Sequence, residues 1–142
     1  MGKINLGRVV AGGIVAGIVI DIWEGVMRGM VLRQQGMEVM AALGKPSNFT
    51  PKQLVAFNLL GLAVGILTIW LYAAIRPRFG AGPKTALVAG LFAWALVYVL
   101  GAMPVVFGHL FPKNLATIAA CGELVMMLIA GVAGAALYKE AA

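Results

Sequence analysis

The sequence predicts an all-α fold: an integral membrane four-helix transmembrane bundle with both termini on the cytoplasmic side. Three observations predict it. Hydrophobic residues make up 62% of the 142-residue chain and charged residues only 11%, against about half and about a quarter in an average soluble domain. The apolar residues gather into four runs, each reaching the ~20 residues that cross ~30 Å of hydrocarbon at ~1.5 Å per residue. Most basic residues fall at the ends of those runs. A net charge of +6 therefore describes loops beside lipid and not a nucleic-acid surface.

A single transmembrane domain occupies residues 1–142, with spans at about 4–32, 53–75, 85–107 and 115–138. Lys3 and Arg8, followed by the apolar run 9–20, imitate a secretory signal peptide. The run continues into Asp21-Ile22-Trp23-Glu24 with no small-x-small cleavage site, so it is read as a retained first span. The outer-side connection 33–52 contains Met37-Glu38-Val39-Met40-Ala41-Ala42-Leu43, read as a short interfacial helix. Thr50-Pro51-Lys52-Gln53 opens the second span with an N-cap, a proline at the first helical position and a Gln completing a capping box. Arg76-Pro77-Arg78-Phe79-Gly80-Ala81-Gly82-Pro83-Lys84 is a tight loop into the third span. Pro104 is expected to kink or end that span, and Gly108-His109-Leu110-Phe111-Pro112 turns into the fourth. Helices are required because lipid cannot satisfy unpaired backbone groups, and no segment alternates as a barrel strand would.

Orientation follows the Lys and Arg distribution. Lys3, Arg8, Arg76, Arg78, Lys84 and Lys139 lie on one side, and Arg28, Arg33, Lys45, Lys52 and Lys113 on the other. The density of the 76–84 loop places it and both termini inside, in a multi-pass protein of a bacterial inner membrane. The stretch Trp70-Leu71-Tyr72-Ala73-Ala74-Ile75-Arg76-Pro77-Arg78-Phe79-Gly80-Ala81-Gly82-Pro83-Lys84-Thr85-Ala86 resembles a signature of small, uncharacterised four-helix bacterial inner-membrane proteins. The resemblance implies the topology and no particular activity.

Ionisable groups inside spans are costly and turn toward a bundle interior. On a helical wheel, Gly13, Gly17, Asp21, Glu24 and Arg28 share roughly 80° of the first span at ~100° per residue. Asn58, Gly61, Gly65, Thr68 and Tyr72 share an arc of the second. Ala116, Ala120, Glu123, Met127, Ala130 and Gly134 form a stripe on the fourth. Gly13/Gly17 and Gly61/Gly65 are small-xxx-small pairs that let helices approach closely, and Gly25/Gly29 is a third. Depth along each helix, at ~1.5 Å per residue, brings Asp21, Glu24, Arg28, Asn58, Tyr98 and Glu123 to similar levels. They are expected to form one intramembrane polar cluster, either a structural ion-pair network or a proton- or cation-coupled site.

Other chemistries find little support. One His and no Glu-x-x-His pair fall short of a di-iron bundle, and a lone Cys121 excludes a cysteine-rich metal site. No metal and no cofactor is expected. Cys121 is read as a small buried packing residue, His109 as a loop residue, and Trp23, Trp70 and Trp94 as lipid- or interface-facing filler. No phosphate loop, nucleophile elbow or zinc motif proposes a catalytic residue. Arg76, Arg78 and Lys84 suit an anionic lipid or an acidic partner surface, with loop glycines offering backbone N–H groups as an anion nest. The leading expectation is a non-catalytic membrane subunit that contacts copies of itself or other membrane subunits. The alternative is a small proton- or cation-coupled transporter or channel.

Overall fold

A computed structural model describes residues 3–140. The described residues are helical with no strand, and four helices are long and apolar enough to cross a membrane. The first span is α1 (Leu6–Val26), continued by a π-helical turn at Met27–Val31. A short α2 (Arg33–Ala42) follows, then the second span, α3 (Pro51–Phe79). The third span is α4 (Pro83–Trp94), a π-helical turn at Ala95–Val99 and α5 (Leu100–Phe107). The fourth is α6 (Lys113–Ala135).

Local chemistry explains the helix ends. The Asn5 side chain accepts the Arg8 N–H at 3.2 Å and caps α1. At α3 the Thr50 hydroxyl accepts the Gln53 N–H while the Gln53 side chain accepts the Thr50 N–H at 2.9 Å, the predicted capping box. Gly80 (φ 85°) and Gly82 (φ 132°) hold the turn between α3 and α4 in backbone space that glycine tolerates best, and Pro83 opens α4. Pro104 does not end the third span, which runs on to Phe107. Proline offers no N–H to the Leu100 carbonyl, and the helix is irregular just upstream, at the Ala95–Val99 π turn. The short helix expected at 37–43 begins four residues earlier, at Arg33, and ends at Ala42.

The spans form a ring in which α1 packs on α3, α3 on α4, α4 on α6 and α6 back on α1. Small residues make the seams. A Cβ on Gly65 would overlap the Gly13 carbonyl oxygen and the Gly17 backbone. Gly12 and Gly134 meet backbone to backbone between α1 and α6, and Gly131 meets Gly90 and Ala86 between α6 and α4. Lipid tails are as apolar as the side chains, so such close approach, through dispersion, is what holds membrane helices together.

The packing is uneven along the bundle axis. Within the spans, buried side chains run from Val9 to Ile20 on α1, Gly61 to Tyr72 and Ala73 on α3, Thr85 to Ala93 on α4, and Met126 to Ala135 on α6. Beyond those limits only Leu115 of the spans is buried. Every residue from Pro51 to Leu60 lies on the outside of the bundle. The bundle is closed at the end carrying both termini and the α3–α4 loop, and open at the end carrying α2.

Polar side chains lock the closed end. The Tyr138 hydroxyl accepts the Asn5 N–H at 3.4 Å, and Tyr72 stands edge-on to Tyr138 with ring centres 5.8 Å apart. Arg76 lies over the Tyr138 ring and pairs with Glu140 at 3.5 Å. Nearer the middle, the Trp94 indole N–H donates to the Ala120 carbonyl at 2.8 Å, tying the third span to the fourth. Trp94 is thus a tether as well as filler. Trp94→Phe keeps most of the ring's packing and is expected to cost about 1 kcal/mol of bundle stability, the usual net worth of a hydrogen bond. A detergent-denaturation titration reads the difference; no shift would mean the bond carries no net stability.

Candidate intramembrane polar site

The expected polar residues gather at the boundary between packed and open halves. Asp21 follows Ile20, the last buried residue of α1, and Glu24 and Arg28 lie one and two turns further on. Arg28 sits inside the first π turn and Tyr98 inside the second. π turns widen a helix by one residue and recur at functional positions. Glu123 stands one turn before the first residue of α6's buried core stripe, Met126.

Arg28 donates from Nε to Glu24 Oε2 at 2.5 Å, the i,i+4 pair that the spacing predicts. The pair is lopsided, with the Glu24 side chain 20% exposed and that of Arg28 55%. The guanidinium also approaches the Phe57 ring of α3, 5.9 Å from its centre. Glu24, Arg28, Tyr98 and Glu123 lie within electrostatic reach of one another across the first, third and fourth spans. Two buried polar atoms here have no hydrogen-bond partner among the described residues, Glu24 Oε1 and the Trp23 indole nitrogen. The Trp23 ring nitrogen faces Gly122, one residue from Glu123.

Two members take different places. Asp21 turns toward α3, with its carboxylate against Gly61, where even a methyl group would collide with it. It interacts with Glu24. Gly61 therefore accommodates a carboxylate, while Gly13, Gly17 and Gly65 accommodate backbone. Asn58 lies on the outside of α3 and donates to the Leu54 carbonyl of its own helix at 2.7 Å. An amide is locally satisfied in that way, so depth alone does not draw it inward. Among the described residues, no three His, Cys, Asp or Glu side chains gather as a metal ion would require.

Other expected residues also find their places. Cys121 is exposed on α6, not buried, because it falls outside the α6 stripe that meets α1 and α4. The expected 76–84 loop is shorter, because α3 runs on through Pro77 to Phe79 and α4 begins at Pro83, so Arg76 and Arg78 lie in the last turns of α3 and Lys84 in the first turn of α4. Arg76 is engaged by Glu140 and Tyr138, whereas Arg78 and Lys84 are exposed. The loop offers less of a nest than its glycines suggest. The Gly80 N–H is taken by the Arg76 carbonyl at 2.8 Å and the Gly82 N–H by the Tyr72 hydroxyl at 3.3 Å. Sequence reasoning missed the orphaned Trp23 nitrogen and the two π turns. Only the neighbourhood of Trp23 to Glu24 hinted at the first.

The chain matches no protein-family model, no curated protein and no solved structure.

Proposed function

We propose that this protein is a non-catalytic membrane subunit, of a bacterial inner membrane, whose open half is completed by another membrane subunit or by a second copy. The observation that carries this reading is the uneven packing. The stretch from Pro51 to Leu60 has no buried residue on any face, and among the described residues nothing lies within reach of a Cβ at Gly25 or Gly29. A small-xxx-small pair without a neighbour is a seam without its second helix. In this reading both termini and the α3–α4 loop face the cytoplasm, and Arg78 and Lys84 meet anionic headgroups there.

Site-directed crosslinking in native membranes tests the proposal. Leu59→Cys in a Cys121→Ser background is expected to form a disulfide-linked or reagent-linked product, and Ala89→Cys, inside the packed half, is not. Gly25→Leu is expected to abolish the Leu59 product while leaving the monomer folded. A monodisperse monomer that crosslinks to nothing overturns the reading.

A second reading is small-scale proton or cation coupling through Glu24, Glu123 and Asp21. The convergence of Glu24, Arg28, Tyr98 and Glu123 at the floor of the open half favours it. Transport in proteoliposomes that is indifferent to Glu123→Gln and Asp21→Asn disposes of it.

A further inference from the structure

The short helix α2 does not close down on the bundle. Between it and the turn from α5 to α6 is an open cleft of about 570 Å³. Val39, Ala42, Val106 and Phe111 give it apolar walls, and His109 and Lys113 are its ionisable lining groups. Val39 is the one α2 residue that is buried; its neighbours leave the space open. His109 is also the one non-glycine residue among those described with a positive φ, 55°.

The ionisable groups that line the cleft are basic. Among the described residues no carboxylate lines it, Glu38 lining the adjoining cleft instead, and Lys113 has no ion-pair partner. The start of α6 adds to this. Helix starts ordinarily carry a capping side chain or an acid in the first turn, which offset the positive end of the helix dipole. α6 has neither; its N-cap is Pro112 and its first residue is Lys113. The free N–H groups of that turn, the ammonium of Lys113 and the imidazole of His109 all favour an anion. Apolar walls beside them favour hydrocarbon.

We propose that the cleft under α2 binds an anionic phospholipid, with the headgroup phosphate against Lys113, His109 and the first turn of α6, and an acyl chain along Val39, Ala42 and Val106. The cleft lies where the third helix long enough to span ends and the fourth begins, which in a bilayer is the depth of the headgroups, so a lipid would reach it without leaving the bilayer. Its position at the open end makes it independent of the Arg78 and Lys84 surface.

Photocrosslinking in vesicles tests the assignment. Phosphatidylglycerol and phosphatidylcholine probes carrying the same photoreactive acyl chain are compared by peptide mapping. Phosphatidylglycerol is expected to label the 105–118 segment and α2 in preference to phosphatidylcholine. Lys113→Gln, a surface change, is expected to lower that preference about fivefold, the effect of one basic residue near an anionic membrane surface. Ala42→Trp, which fills the cleft, is expected to remove the labelling. Millimolar inorganic phosphate is expected to leave it unchanged. Equal labelling by the two probes, or labelling indifferent to Lys113→Gln, overturns the proposal; competition by free phosphate overturns the lipid and leaves a simple anion site.

Discussion

Gly65→Ala is expected to destabilise the bundle by about 3 kcal/mol, the upper end of what overpacking costs, and Gly65→Leu to prevent α1 from seating on α3. Two effects oppose each other at this position. Alanine is intrinsically better than glycine in a helix by about 1 kcal/mol. Against that, the added methyl would coincide with the Gly13 carbonyl oxygen and with the Gly17 nitrogen and Cα. These are backbone atoms, which cannot rotate away as a side-chain end can, so the two helices must separate. Separation removes dispersion contacts along the whole stripe from Gly61 to Ala73, and the steric term wins. Gly25→Ala is the matched control. Nothing lies within 4 Å of its Cβ position, so only the propensity gain remains and the variant is expected to be neutral or slightly more stable as a monomer. Detergent denaturation followed by intrinsic fluorescence compares the two. Equal shifts would show that the α1–α3 seam does not depend on glycine contact.

Arg28→Ala is expected to cost about 3 kcal/mol, the lower end of the loss when one member of a desolvated ion pair is removed. Among the described residues the guanidinium is the one positive group that acts on both Glu123 and Tyr98, and it pairs with Glu24. Without it, two carboxyl groups at the level where packing ends face each other and lipid. Part of the Arg28 side chain is uncovered, which would make a pair in water nearly worthless. Lipid does not screen as water does, so the larger figure applies. The double variant Glu24→Gln/Arg28→Ala removes the opposing charge as well and is expected to recover at least half of the loss. Additive losses in that double-mutant cycle would mean that Glu24 and Arg28 act independently, despite their contact.

Much of this architecture is written locally. The four spans, the Thr50–Gln53 capping box, the glycine-proline turn before α4 and the Glu24–Arg28 pair each depend on residues a few positions apart. Reading depth along the helices also brought Glu24, Tyr98 and Glu123 to one level. It failed for Asn58, because depth says nothing about rotation once a side chain can satisfy itself on the preceding turn. Cys121 differs from expectation for a related reason: a small residue beside glycine suits a seam, but its azimuth on α6 leaves it facing outward.

What the sequence by itself determined is an all-helical chain, the number of helices long and apolar enough to cross a membrane, and the faces on which small and polar residues lie. These follow from transfer free energies and backbone hydrogen bonding, which are properties of single segments. Only the tertiary structure decided that the bundle closes at one end and opens at the other, that Asp21 turns to Gly61 and not to Glu123, and that α2 stands clear of the α5–α6 turn. Those outcomes depend on how helices far apart in sequence cross and how closely their backbones approach, and no stretch of sequence contains both sides of such a contact.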